Sequence, residues 1–416
     1  MNKNIINYFF IFLPIAFVTG PFFTNLFVSI LSIYGMYIFF KKKISINFSN
    51  FFIILSTIFY IIILLSSLQS NFITLSLSGS LFYFRYIFFS IAIGFIIINS
   101  EKISKDFNYV LFITILFVCI DAIIQYIFGQ NLFNQLTRNE PAEIGRLSGI
   151  FGDELILGSF LARVFPLIIA LTFYNFVLYK FKNLALLSLF FIIIILTILI
   201  SGERTAILYT LFHIFILFMC VPNKIKIIGL IILPFFISVI LLILNNDNKL
   251  KVRLINQTIR DIGILEDGRI IPKIFSDIHQ KHILIAYEMF KESPIIGKGV
   301  KTFREECKKY ESLNAGCTTH PHHTYAQLLG ETGFISFIFI LSAFIYVASN
   351  LFKKLILINK NNNFNKKLVL EIFLLSSFFL TLFPFLPSPN FFGSYINSFF
   401  YLPLGLYFGY SVFKKN

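Results

Sequence analysis

Charge is what this 416-residue sequence has least of. Only 13% of its residues are Asp, Glu, Lys or Arg, about half the share usual in a soluble domain, and tryptophan is absent. Hydrophobic residues make up 57% of the chain, and 57 side chains are phenylalanine. A chain so poor in charge along its whole length has lipid as most of its solvent. Other absences narrow the function. There is no GxxxxGK[ST] loop, which argues against a nucleotide-driven machine. The turn Thr19-Gly20-Pro21 carries no acid and the loops read below as external hold no DxD pair, so no metal site and no cofactor is expected on a diphosphate. No small-residue cleavage site follows the first apolar segment, which reads as a retained helix and not a signal peptide. No internal repeat is visible. A net charge of +15 would suggest nucleic acid in a soluble protein. Here loop lysines account for much of it, and no nucleic-acid partner is expected.

What is present is a series of apolar runs near the roughly 20 residues that a bilayer requires. They fall at 5–20, 22–40, 50–67, 80–98, 109–128, 154–177, 184–200, 205–221, 227–244, 333–352, 368–388 and 397–412. The fold expected is all-α, a polytopic membrane protein of twelve transmembrane helices with one long loop between the ninth and tenth. Residues 1–244 would hold helices one to nine, 245–331 the loop subdomain and 332–416 helices ten to twelve. With the N-terminus inside, Lys3, Lys41 to Lys43, Lys102, Lys105, Lys180, Lys182, Lys224 and Lys226 are cytoplasmic, as are the lysines from 353 to 367, Lys414 and Lys415. The short outer loops then hold only Arg138, Arg146 and Arg204. This bias places both termini in the cytoplasm and the long loop outside. Within that loop 278–291 reads as an amphipathic helix and Asp267-Gly268 as a turn.

Of the four cysteines, Cys119 and Cys220 lie inside apolar runs as fillers. Cys307 and Cys317 lie in the loop, where an oxidising periplasm favours a disulfide just before a histidine cluster. Zinc held by these cysteines and the histidines is the rival, weakened by the missing CxxC spacing.

Charges inside apolar helices are costly and therefore informative. Arg85 and Arg163 each interrupt a run entering from the outer face, roughly 8 to 14 Å deep at about 1.5 Å per residue. Arg204 stands at the outer mouth between two runs, in Ser201-Gly202-Glu203-Arg204-Thr205, and Arg146 lies in the outer loop before Arg163. Four guanidiniums in one half of the membrane suit the phosphate oxygens of a lipid-linked diphosphate. Snorkelling, or ion pairs of Arg163 with Glu154 and Arg204 with Glu203, is the plainer reading. The second cluster is HPHHTYAQLLGETG, His320 to Gly333, where the loop re-enters the membrane as a helix beginning near Thr324. An imidazole at a helix N-terminus stands beside a natural anion site, as base or as phosphate contact. His322 carries that reading best. His320 and His323 stand nearer to the water-facing alternative, and His213, His279 and His282 nearer still.

This segment resembles the signature of bacterial O-antigen ligases and the related O-antigen polymerases, His-Asn followed by nine residues and then Gly. Here His322 and His323 are followed by Thr324 to Thr332 and then Gly333, with His323 where Asn is usual and Ser336 where Gly, Thr or Tyr is common. Ser201-Gly202-Glu203-Arg204-Thr205-Ala206 is similar to the family's Ser-Gly-x-Arg-Thr-Ala. Gly145 to Gly149 with Phe151 to Glu154, and Pro294 to Gly299 with Phe303-Arg304, resemble further family stretches in the same order. The resemblance implies a metal-independent glycosyltransferase at the periplasmic face. It would move a glycan from undecaprenyl diphosphate to an acceptor sugar, in the ligases the lipid A core, with membrane lipids around it. It gives Arg204 and a loop arginine, Arg304, to the diphosphate, and gives His322 the acceptor hydroxyl's proton or its orientation. Arg146, Arg163, Arg85 and His320 become supporting substrate contacts. The helix before Pro294 offers His279, Lys281 and His282 where the family has an arginine. Ligase is favoured over polymerase. A flippase or transporter fits less well, because neither repeated halves nor midplane charges are visible.

Overall fold

The computed structural model describes residues 3–41, 51–137, 144–175, 181–263, 271, 273–313, 317–360 and 365–413. Arg138, Lys42, Lys43, Lys180, Lys414, Lys415 and the Asp267-Gly268 turn lie outside the described residues. The described residues form helices, turns and one isolated bridge between Gln130 and Leu136. In chain order the helices are α1 (Lys3–Ile11), α2 (Leu13–Thr19), α3 (Pro21–Phe40), α4 (Phe51–Leu68), α5 (Ile73–Ser80), α6 (Arg85–Asn99), α7 (Glu101–Phe128), α8 (Leu157–Asn175) and α9 (Phe181–Ile200). Then come α10 (Arg204–Cys220), α11 (Asn223–Asn246), α12 (Asn248–Lys251), α13 (Gln257–Asp261), α14 (Asp277–Glu292), α15 (Phe303–Glu306), α16 (Thr324–Lys360), α17 (Lys366–Thr381) and α18 (Ser394–Tyr407).

Every apolar run of the sequence contains helix, but not every run is one helix long enough to cross a bilayer. Among the described residues, five segments are long and apolar enough: Pro21–Phe40, Ile73–Asn99, Glu101–Phe128, Leu157–Asn175 and Thr324–Asn359. The other apolar helices include α4, α9, α10 and α11. The shortfall has local causes. The first run breaks at Phe12, just before Pro14 enters α2, and α17 stops ahead of Pro384 and Pro387, whose rings cannot continue a helix. Inside the long Ile73–Asn99 segment, the run at 80–98 does not start as regular helix. Residues 81–84 form tight turns, with Tyr83 N–H on Ser80 O (3.0 Å) and Arg85 N–H on Phe82 O (3.2 Å). Arg85 therefore opens α6 and does not interrupt it.

Helix contacts use small residues where backbones approach, as lipid-embedded interfaces do. A side chain at Gly35 of α3 would meet the Phe88 carbonyl of α6 at 1.9 Å, and one at Gly405 of α18 would stand 2.9 Å from Ser90 O. α8 is the most enclosed of the long spans and packs on α17, α10, α7 and α9. The segment after α11 folds back over this bundle. α14 lies on α16, and the connection after it is clamped to α16 by Lys298 N–H on Gly330 O (3.1 Å), Gly299 N–H on Glu331 O (2.7 Å) and Phe334 N–H on Pro294 O (2.8 Å). The clamp works because α16 bends at Gly333, whose φ is 75°. Cys307 and Cys317 are disulfide-bonded, Cα to Cα 5.7 Å. Cys307 joins Ile285, Ala286, Met289, Phe303 and Ala326 in a small core of its own.

Gly333 carries a testable consequence. A Cβ there would lie 2.3 Å from Ile295 O, whereas one at Gly129, also left-handed (φ 77°), would meet nothing within 4 Å. Gly129→Ala should cost about 1 kcal/mol of backbone strain. Gly333→Ala adds a collision with backbone, so its loss of thermal stability in detergent should be clearly the larger. Equal shifts for the two variants would contradict the clamp.

Candidate functional site

The site begins at the turn between α9 and α10. Gly202 (φ 70°) reverses the chain there, and a side chain on it would lie 2.4 Å from Gly145 O. Glu203, at the N-cap of α10, turns its carboxylate to the first turn of α8. It accepts the N–H groups of Gly158 (2.7 Å) and Ser159 (3.2 Å). An acid at a helix N-terminus meets free N–H groups and a favourable dipole. Gly158 permits the approach, since a Cβ there would stand 2.3 Å from Ser201 Oγ. Burial raises the Glu203 pKa, opposed by the Arg146 charge, the two N–H groups and Arg163.

Because Glu203 is committed to α8, it does not pair with Arg204 as the sequence suggested. Arg204 pairs with Asp261 at the end of α13, Nη1 to Oδ2 2.9 Å, and both side chains are about 30% exposed. Arg146 stands 3.9 Å from Glu203 and donates to Leu155 O at 2.5 Å. A third guanidinium, Arg253, donates to Gly202 O (3.3 Å) and to Gln257 Oε1 (2.7 Å). Burial, then the charges of Arg146 and Arg204, push Arg253 down to about 10, still protonated at neutral pH. Three guanidiniums thus meet around one turn, with Glu203 and Asp261 among the acids acting on them.

The histidines lie beside Asp261. His279 and His282, three positions apart on one face of α14, point at the junction before α16. Ring centroids are 5.4 Å from His279 to His322, 5.8 Å from His282 to His322 and 4.1 Å from His320 to His322. Burial lowers the His279 pKa, and the charges of Asp261 and Arg204 reach it, so the arginine turn lies within electrostatic range of the histidines. Burial, then His279 and His282, push His322 down to about 4, and burial first takes His320 to about 3. His320 and His322 are therefore neutral imidazoles at neutral pH. His320 is tied by Nδ1 to Thr319 Oγ1 at 2.9 Å. The His322 ring is half-buried and has no hydrogen-bond partner among the described residues. Its backbone is left-handed, φ 54°, which is strained for a non-glycine residue, and its carbonyl is held by Ser388 N–H at 2.9 Å.

His323 has a different task. Its Nδ1 accepts the N–H of Ala326 (3.1 Å), capping α16, so Nε2 carries the proton donated to Pro384 O (2.8 Å). Asn is likewise a favoured helix-capping residue. Gln327 extends the docking, with its Nε2 on Asn390 Oδ1 (2.9 Å) and its Oε1 on Phe391 N–H (2.9 Å).

Not every sequence candidate joins. Arg163 donates to Ser159 O (3.1 Å) and lies over Tyr209 (5.7 Å), with no bond to Glu154. It lines a narrow cleft walled by Pro166, Leu380, Phe399 and Phe400. Arg85 donates to Asn25 (3.1 Å) and Tyr86 (2.8 Å), away from the arginine turn. Arg304 stands near His320, whose pKa its charge lowers, and not beside Arg204. His213 is buried among Phe165, Phe212 and Phe373 as a core residue. Sequence reasoning missed Arg253 and Asp261, which lie in a charged loop without period or motif. It discounted His279 and His282, whose i, i+3 spacing on an amphipathic helix was the available signal.

Residues 189–341 match the family model described as O-antigen ligase. No curated protein matches the chain. The matched segment contains Arg204, Arg253, Asp261, the two α14 histidines, Arg304, His320 and His322, whereas Arg85, Arg146 and Arg163 lie outside it.

The imidazole shifts set a pH dependence with a definite sign. An unfolded histidine takes its proton near 6.5, but folded His322 does so only near 4. Between these values the unfolded chain binds more protons, so stability is full above 6.5 and is lost as pH falls. A base role for His322 should therefore persist to about pH 5 while the melting temperature is already declining. Activity halved at pH 6.5, with no stability change, would contradict the burial of this cluster.

Proposed function

We propose that this chain, whose residues 189–341 place it in the O-antigen ligase and polymerase family, is a glycosyltransferase that takes a glycan from undecaprenyl diphosphate. The acceptor is the lipid A core, with a ligase favoured over a polymerase. The chain acts at the periplasmic face of the inner membrane with its termini cytoplasmic, and the twelve apolar runs supply its crossings. The observation that carries this reading is the electrostatic proximity of an arginine turn, Arg146, Arg204 and Arg253, to the cluster that holds an unpartnered neutral imidazole, His322.

In this reading the donor diphosphate takes the place of Asp261 on Arg204. Planar guanidinium forks suit two phosphate oxygens, and they bind more strongly as the diphosphate gains charge on leaving. The acceptor hydroxyl oxygen bonds to the anomeric carbon, the bond from that carbon to the diphosphate oxygen breaks with its electron pair, and His322 takes the hydroxyl proton. A pKa well below neutrality keeps His322 in the accepting form. The left-handed backbone at His322 fixes the ring, since Ser388 holds its carbonyl and His323 caps the next turn.

Arg204→Ala and His322→Ala should each lower transfer by at least about 100-fold with normal membrane insertion. Arg204→Lys should restore little, because it keeps the charge and loses the fork. Near-normal capping of the lipid core in either alanine variant would contradict the reading. In a deletion strain, long chains left on the lipid carrier indicate a ligase, and single repeat units on the core indicate a polymerase.

A further inference from the structure

A second group of cations lies at the other end of the histidine cluster and has no part in the chemistry above. Lys301 and Arg304 stand three positions apart at the entry to α15, both half-buried. Neither side chain has a hydrogen-bond or ion-pair partner among the described residues, and Arg304 Nε is buried. They are mutually close enough that the Arg304 charge, after burial, lowers the Lys301 pKa, and Arg85 adds to the effect. Glu331 is the one acid acting on Lys301, but it is fully buried. Its oxygens are taken by Phe303 N–H (3.0 Å) and Gln327 Nε2 (3.0 Å). Two neighbouring cations held partly out of water with no acid bonded to them disfavour the empty state, and an arriving anion relieves it.

The backbone insists on this placement. Among the described residues three non-glycine positions have positive φ: Asn134, Lys301 (62°) and His322 (54°). Asn tolerates that region and Lys does not. Lys301 is forced into it by the bonds of Lys298 and Gly299 to α16 and by Thr302 Oγ1 on Gly299 O (2.6 Å). Its aliphatic stem crosses α5 where Gly79 has no side chain, since a Cβ there would lie 3.0 Å from Lys301 Cδ. Strain retained at His322 and again at Lys301 marks two fixed points of one site. Arg204 neighbours His279 and Arg304 neighbours His320, with His322 in contact with both imidazoles.

We propose that Lys301 and Arg304 bind a phosphate group on the acceptor glycan and so deliver its hydroxyl to His322 from the end away from the donor diphosphate. This rests on the transferase reading. The donor's charge is already matched by the arginine turn, so an anion site at the opposite end of the base is placed for the other substrate.

The test uses the full-length chain in nanodiscs with an undecaprenyl diphosphate-linked glycan as donor. The acceptor is lipid A core oligosaccharide carrying its phosphates, or the same material after phosphatase treatment. Lys301→Gln and Arg304→Gln should raise the KM for the phosphorylated acceptor at least tenfold, with the donor KM within twofold of the unsubstituted chain. Phosphatase treatment should raise the unsubstituted chain's acceptor KM equally and leave the variants unchanged. Lys301→Gly separates binding from folding. It removes the charge and the backbone strain together, so its melting temperature should rise while acceptor affinity falls. Unchanged acceptor affinity in that variant would show a structural role and overturn the proposal. A rise in donor KM instead, or a dependence on phosphatidylglycerol in the nanodisc and not on acceptor phosphate, would also overturn it. If the unsubstituted chain transfers no glycan to either acceptor, the transferase reading itself fails.

Discussion

Glu203 on the N–H groups of Gly158 and Ser159 is the interaction on which the site depends. It joins the N-terminal ends of α8 and α10, and by consuming the nearest carboxylate it leaves Arg204 to a half-exposed acid on a separate segment. A carboxylate bound to two buried N–H groups is difficult to displace, whereas an exposed ion pair contributes little and exchanges readily. The arrangement therefore separates a fixed acid, which builds the turn, from an exchangeable one, which can yield to a ligand. Gly158 and Gly202 make this possible by allowing backbone where any side chain would collide.

The histidine end is built on another principle. His323 spends both ring nitrogens on structure, capping α16 and anchoring the connection to α18, so that His322 can spend neither. The left-handed backbone at His322 is tolerated because Ser388, the capped helix and the Gly333 clamp fix both sides of it. Local strain is stored where the surroundings over-determine it.

Much of this was legible in the sequence. Arg204 and His322 were marked by Ser-Gly-x-Arg-Thr-Ala and by the spacing of His322 from Gly333, and helix at every apolar run followed from hydropathy. Other features were not. Hydropathy averages over a window and does not see four residues of tight turn, so Arg85 was placed within a helix that it begins. Length could not be read from apolar content either: the first run breaks at Phe12, and α17 stops before Pro384. Arg253 and Asp261 were invisible because a salt bridge between distant segments leaves no period in sequence. The plainer alternative for Arg204, a pair with its neighbour Glu203, does not form because adjacent side chains on a chain entering a helix diverge, one to the cap and one along the helix face.

The most direct test is a cryo-electron microscopy map of the full-length chain in nanodiscs with undecaprenyl diphosphate bound. The account predicts diphosphate density within hydrogen-bond reach of Arg204 and Arg253, Asp261 moved off Arg204, and the His322 ring facing the terminal phosphate. Density elsewhere in the bundle, with the Arg204–Asp261 pair intact, would contradict it.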